Sequence, residues 1–405
     1  MIVALRLLAS DTSLVERSRE GGPLVFLSIL LSRASGSVPL SLAEGVLVLA
    51  VVVPGFVLLR AQRASRRARS LAPLAAAALA IASWGAFAAV LFTLLFGLDY
   101  FRPRLADRLG WRSREELPDA VAAAGTVVDL ANRSYLEAFT SSDLGEPSPA
   151  LKGGAATDAA LEESYARLSS SLPLGAAFGE ARGPAKPLRV LSPILCRLGL
   201  TGFYFPWTGE ANFNDLVLPW ERVHTIAHEK AHQRGIARED EANFVGALAC
   251  LTSKDPWLRY AGAFFAENDL LNALARARAP EIGALLRRRA PGVVRDQEAE
   301  RAFWERYRGA AEKVSRAVTD TYLKSQGVRE GALSYEESAR LLTLYFAFFC
   351  KDGSCLPGAP AETQRPIASR LRSTSSSVVA QDETLIRMAA RPLNVVPLQK
   401  QVPSD

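Results

Sequence analysis

Histidine is almost missing from this chain. There are three in 405 residues, at positions 224, 228 and 232, four apart on one short segment. Cysteine is nearly as scarce, with four residues at 196, 250, 350 and 355. That number is too small for a secreted disulfide scaffold, and no further Cys or His accompanies the 350/355 pair to complete a structural zinc site. Cys350 and Cys355, bracketing KDGS, can pair if that region lies outside the cytoplasm. Cys196 and Cys250 stand among apolar neighbours and read as buried thiols. Net charge outside one cluster is also small. The formal net charge is +6, but Arg60, Arg63, Arg66, Arg67 and Arg69 carry five of it, so the rest nets +1. Nucleic acid, which needs a basic face on a folded domain, is not indicated.

Charge of any sign is absent from Ser70 to Leu98, and Ala34 to Leu59 holds only Glu44. Two such runs around an arginine cluster predict two transmembrane helices, about 40–59 and 72–97, with Pro54 a tolerable kink in the first. An arginine-rich connection belongs on the cytoplasmic side, so the second helix leaves the cytoplasm and everything after Leu98 faces outward. Upstream, Pro23 to Ser32 is apolar but too short to span. No small-residue cleavage site marks a removable signal, and residues 1–39 read as an extracytoplasmic or truncated membrane segment.

Beyond the membrane pair the apolar spacing is mostly helical. Residues 183–218 differ, with Gly, Pro and short β-leaning runs that predict strands or extended segments. A helix is expected from Pro219, a good first-turn residue, to a C-cap at Gly235. A second should start near Ala237, where REDE suits the positive end of a helix dipole. Further helices are expected at Trp257–Ala279, at Val293–Lys324 as one long element, and from Ser334, whose capping box closes on Glu337. Residues 356–405 offer little to bury and read as a disordered tail. The expected architecture is mainly α: a transmembrane pair at 40–98, then an α-rich domain at 99–355 with a small β-sheet.

The chemistry lies in HEKAH. On a helix His228 and His232 share a face and can reach one metal ion, while Glu229 projects beside it as a proton acceptor. Zn2+ suits imidazole and carboxylate donors with one position left for water. His224, a turn earlier, can orient substrate, but three in-line turns cannot all ligate one tetrahedral ion.

FGLDYFRPRL, GLTGFYFPWTGEANFN, HEKAHQRGIAREDEANFVGALAC and TDTYLKSQGVREGALSYEES together resemble an uncharacterised family of bacterial membrane proteins with a zincin-like domain of unknown function. The resemblance runs from about Phe96 to Cys355, and the chain is more distantly similar to the membrane heat-shock and prenyl-protein peptidases of gluzincin type. It implies a zincin-like (gluzincin) domain at 99–355 on the outer face of the bacterial inner (cytoplasmic) membrane, anchored in the lipid bilayer and acting on a peptide or protein. Lys230 departs from the pattern, where an apolar residue is usual.

Gluzincins take a third ligand from a following helix, with a supporting polar residue four positions on. Glu239 and Asn243 fit: Glu239 as ligand, Asn243 accepting from the distal nitrogen of His228 or His232. Glu241 is the competitor, but on an ideal helix it points about 200° away. The metzincin pattern fails, because Arg238 stands at its third ligand position. GEANFNDLVLP resembles the edge strand that binds substrate backbone in such peptidases, which assigns Asn212 and Phe213 to substrate. Tyr322, Tyr335, Arg234 and Arg238 remain open as donors to an oxyanion. The leading expectation is a zinc metallopeptidase with Glu229 as general base. The alternatives are a non-catalytic zinc-binding envelope protein, in which Glu229 has no task, and a metal-dependent hydrolase of a non-peptide envelope substrate.

Overall fold

The computed structural model describes residues 12–111, 117–139, 154–175, 177–326, 328 and 337–349. Ser334, Tyr335, Cys350, Cys355 and residues 356–405 lie outside these. Cys196 and Cys250 are buried free thiols, as expected.

Two helices, α1 (Thr12–Glu20) and α2 (Pro23–Gly36), precede the apolar pair, α3 (Leu42–Ala68) and α4 (Ala72–Leu95). Both members of that pair are long and apolar enough to cross a membrane. α3 starts where Ser41 Oγ accepts the Glu44 N–H at 3.0 Å, which satisfies one orphan donor of its first turn. It ends at Arg69, whose φ of +47° turns the chain toward α4. The arginine cluster therefore extends α3 beyond its apolar stretch; the connecting loop is only residues 69–71.

Then come a 3-10 turn at Gly97–Phe101 and helices α5 (Leu105–Arg108), α6 (Leu117–Phe139) and α7 (Gly154–Ser171). β1 (Lys186–Leu188), α8 (Ser192–Leu198), β2 (Gly202–Phe205) and β3 (Glu210–Asn214) follow. The remaining helices are α9 (Pro219–Gln233), α10 (Glu239–Leu251), α11 (Pro256–Arg276), α12 (Ile282–Arg287), α13 (Pro291–Glu305), α14 (Ala310–Ser325) and α15 (Ser338–Phe349). The chain is mainly helical with a small three-stranded sheet. Val127, Leu161, Leu248, Tyr260 and Leu342 lie in one core that joins α6, α7, α9, α10, α11 and α15. Each such side chain contributes about 1.5–3 kcal/mol by leaving water.

Two expectations change. The helix foreseen over 293–324 is two helices, α13 and α14. Phe303, Trp304 and Tyr307 pack on Cys196 and Val217, Trp304 Nε1 donates to Glu221 at 2.7 Å, and Gly309 is extended; this fixed aromatic end breaks the helical run. The strand bearing Asn212 and Phe213 is not an edge. The sheet order is β1-β3-β2, with β1 parallel and β2 antiparallel to β3.

β3 also ties the sheet to the apolar pair. Glu210, ion-paired with buried Lys186, accepts the N–H groups of Leu42 at 3.2 Å and Ala43 at 2.7 Å. Glu44 in return accepts from Arg189, Val190 and Leu191 at 3.2, 2.7 and 2.7 Å. The first turn of α3 is thus capped by the domain it carries.

Candidate metal centre

Pro219 opens α9 with a φ already set for a helix and no N–H to satisfy. Fifteen residues then carry the three histidines along one stripe. α10 begins at Glu239, with Glu239, Asp240 and Glu241 in its first turn, where the helix dipole favours acids. The two helices approach closely at Gly246: a Cβ there would lie 2.9 Å from the His228 backbone nitrogen. Only a missing side chain permits that separation, and it brings Glu239 to the histidines.

Glu239 Oε2 is 3.1 Å from His228 Nε2 and 3.5 Å from His232 Nε2. The His228 and His232 rings meet nearly perpendicular, centroids 4.6 Å apart. Donor atoms of His228, Glu229 and His232 lie within 4.8 Å of one another and could hold a metal ion. That triplet is completed by Glu229, while Glu239 stands within 3.5 Å of both imidazole nitrogens.

His232 Nδ1 donates to the Ile236 carbonyl at 2.6 Å, which fixes the ring and turns Nε2 to Glu239. Burial opposes the imidazolium, but Glu239, Glu229 and the Ile236 carbonyl outweigh it, and His232 is pushed up to about 9. Burial also opposes the Glu239 carboxylate, yet His232 and His228 hold that carboxyl far below its usual range. Glu229 behaves oppositely. Burial, partly offset by His228 and His232 and reinforced by Glu239, pushes it up to about 7. The Tyr204 backbone beside its carboxyl opposes that rise, and Oε2 has no hydrogen-bond partner among the described residues. His228 Nδ1 likewise has none.

The competitor Glu241 points elsewhere, accepting the Leu105 N–H at 2.7 Å. His224 is withdrawn from the cluster: its ring stacks on Phe265 at 3.7 Å, its Nε2 lies 3.4 Å from the Asn243 carbonyl, and burial together with His228 pushes it down to about 3. Asn243 sits one turn beyond Glu239, and it is its main chain that meets a histidine, His224. For His232 the supporting acceptor is Ile236, a backbone carbonyl that no side-chain pattern could reveal.

Asn212 and Phe213 are buried. Asn212 Oδ1 accepts from Ser41 at 2.7 Å, and Phe213 belongs to the core. The strand beside the site is β2, whose Tyr204 backbone lies beside the Glu229 carboxyl. Of the oxyanion candidates, Arg234 bonds Glu162 at 2.7 Å and lies 4.0 Å over the Tyr165 ring. Arg238 donates to the Tyr100 carbonyl at 2.8 Å. Tyr322 packs on Phe92 and Tyr100, each 6.1 Å away.

Lys230 explains its departure from the usual motif. It is fully buried and sits 2.7 Å from both Asp158 and Glu162, while Arg234 takes the other Glu162 oxygen. The sequence did hold a signal for this: bases four apart on α9 face acids four apart on α7.

Neither the curated proteins nor the solved structures contain a match to this chain. Residues 24–343 match the family described as Protein of unknown function (DUF3810). With that match spanning most of its length, the chain belongs to this family of unknown function.

Proposed function

We propose that the chain is a membrane-anchored zinc-dependent peptidase, with His228, His232 and Glu239 as ligands and Glu229 as general base. The observation that carries this is the buried Glu229 carboxyl, one oxygen uncommitted, beside two imidazole nitrogens converging on Glu239. The donor set fits: zinc takes His nitrogen and carboxylate oxygen at bonds near 2.0–2.1 Å, and tetrahedral geometry then separates ligand atoms by about 3.3 Å. The separations of 3.1 and 3.5 Å bracket that value. When bound, such an ion would polarise a substrate carbonyl and make a water more acidic.

The protein's own groups do the rest. Glu229, with a pKa near neutrality, can take a proton from the attacking water and return it to the leaving nitrogen as the C–N bond breaks. His232 is held by Ile236. Among the described residues β2 is an outer strand of the sheet, and its edge near Glu229 would offer backbone groups to an extended peptide. That edge supports a peptide over a lipid or glycan linkage, and a purely structural clamp has no use for Glu229. The arginines ending α3 support a cytoplasmic position for the 69–71 loop and an outward-facing domain.

Glu229→Gln is the direct test, because the amide keeps the shape but cannot accept the proton. Zinc content and fold should be unchanged, while cleavage of a peptide library or self-cleavage falls by about a hundred- to ten-thousandfold. Undiminished cleavage by a zinc-loaded variant would remove Glu229 from the mechanism. No cleavage by the zinc-loaded wild type would favour the clamp.

A further inference from the structure

Helix α2 is inside out. Ser28, Ser32 and Ser35, at helical spacing, are buried, whereas Phe26, Leu27 and Leu30 on the other face are 66%, 37% and 52% exposed. A helix covering a water-soluble domain has the opposite arrangement. Rotation cannot correct it, because the serine face fits closely against backbone. Ser32 Oγ accepts the Gly183 N–H at 2.7 Å, and a Cβ on Gly209 would come within 2.7 Å of the Ser32 nitrogen. Ser28 and Ser35 hydroxyls are satisfied within the helix, on the Val25 and Ser32 carbonyls.

The ends of α2 fix its position. Its start lies at the end of α4: Leu24 and Leu94 both pack against the Val15–Leu98 cluster, and Arg19, just before α2, donates to the Leu95 carbonyl at 2.8 Å. Its end lies at the start of α3, where Lys186 Nζ bridges the Ser35 and Leu40 carbonyls at 2.8 and 3.0 Å. α3 and α4 form an antiparallel hairpin, so Leu42 and Leu95 mark the same boundary of the apolar pair. A 14-residue helix, about 21 Å long, that connects those two points runs along the boundary and not across it.

The geometry points to α2 as an interfacial helix whose Phe26–Leu27–Leu30 face is immersed in the acyl chains of the outer leaflet. The inference rests on the membrane reading of α3 and α4 given above. Arg33, one turn beyond Leu30, pairs with Glu180 at 3.0 Å, so its charge stays at the aqueous side. Leu40 and Val190, both exposed beside the first turn of α3, continue the apolar rim. The domain is then seated on the bilayer through a third contact, which holds its metal site at a fixed height.

The test uses the full chain in phosphatidylcholine–phosphatidylglycerol vesicles, with Cys350→Ser and Cys355→Ser to leave only the buried thiols. Nitroxide labels are placed singly at Phe26→Cys, Leu30→Cys, Val51→Cys in α3 and Ala284→Cys in α12, all exposed positions. Oxygen, which concentrates in acyl chains, and a water-soluble nickel chelate are the relaxing agents. Labels at 26 and 30 should match 51, with an oxygen-to-nickel accessibility ratio several-fold above that at 284. Labels at 26 and 30 that match 284 while 51 stays in lipid would overturn the interfacial helix alone. Exclusion of both agents from 26 and 30 would show a protein covering the face and overturn it too. If 51 also matches 284, the membrane reading fails and the inference with it. The two α2 positions are read independently, so one poorly folding variant leaves the other decisive.

Discussion

The ring of Phe96 meets the imidazole of His232 edge-on, centroids 5.6 Å apart and planes at 88°. Phe96 is the residue that ends α4, and its ring also packs on Tyr204 of β2 at 5.3 Å. One side chain is therefore shared by the apolar hairpin, the sheet edge and the candidate metal centre. His232 is restrained from two sides, by this ring and by the Ile236 carbonyl.

Phe96→Ala tests that sharing. Deleting a buried phenyl costs about 3–5 kcal/mol, so the thermal midpoint in detergent should fall. Metal affinity should weaken as His232 gains freedom, with stoichiometry unchanged. A variant with wild-type midpoint and affinity would show that the contact has no structural role.

The ligand assignment predicts a clean split between two neighbouring glutamates. His232→Ala and Glu239→Ala should each lose bound zinc by elemental analysis. Glu241→Ala should keep it but lose about 1–3 kcal/mol, because the Leu105 N–H is left without its buried acceptor. Zinc retained by Glu239→Ala and lost by Glu241→Ala would reverse the assignment.

The site's helical part was legible because it obeys local geometry. Four-residue spacing puts His228 and His232 together, and the angular separation of Glu239 from Glu241 decides which faces them. The apolar runs of α3 and α4 were legible for the same reason. What escaped depended on non-local pairing. β3 became central only because β1, arriving in parallel from a separate segment, took its second edge. The support of His232 is a backbone carbonyl, invisible to side-chain patterns. His224 fits the stripe but is captured by Phe265 from α11, a contact forty-one positions away in sequence.

Acid should act through the buried cluster behind the motif. Burial raises the Glu162 pKa, but Arg234 and Lys230 outweigh it and push it down to about 2 from 4.5. A carboxyl depressed in the folded state stabilises above its unfolded pKa, and the contribution is lost as pH falls through the folded value. Wild-type stability should therefore decline between pH 4.5 and about 2. Glu162→Gln should be less stable at neutral pH and flatter over that window, by denaturant midpoints. Lys230→Met, which leaves Asp158 without its buried cation while Glu162 keeps Arg234, should cost about 3–5 kcal/mol at neutral pH. An equal acid response in wild type and Glu162→Gln would assign the decline to other carboxyls.

Two glycines offer a way to separate the proposed metal binding from the proposed proton transfer. A Cβ at Gly246 would sit 2.9 Å from the His228 nitrogen and 3.1 Å from its Cα. Both are backbone atoms, so α9 and α10 must move apart and Glu239 must retreat from the imidazoles. Gly246→Ala should accordingly weaken zinc binding and lower stability together. A Cβ at Gly202 would meet the Asn212 carbonyl at 2.6 Å and Glu229 Oε1 at 3.0 Å. Its strain falls on the β2–β3 pairing and on the carboxyl of Glu229, and none of the three proposed ligands is among the nearest atoms it would meet. Gly202→Ala should keep its zinc and lose cleavage, resembling Glu229→Gln in the assay but with reduced stability. Zinc titrations and peptide cleavage on both variants, measured side by side, check the division. Loss of zinc in Gly202→Ala with retention in Gly246→Ala would mean that Glu229, and not Glu239, completes the ligand set.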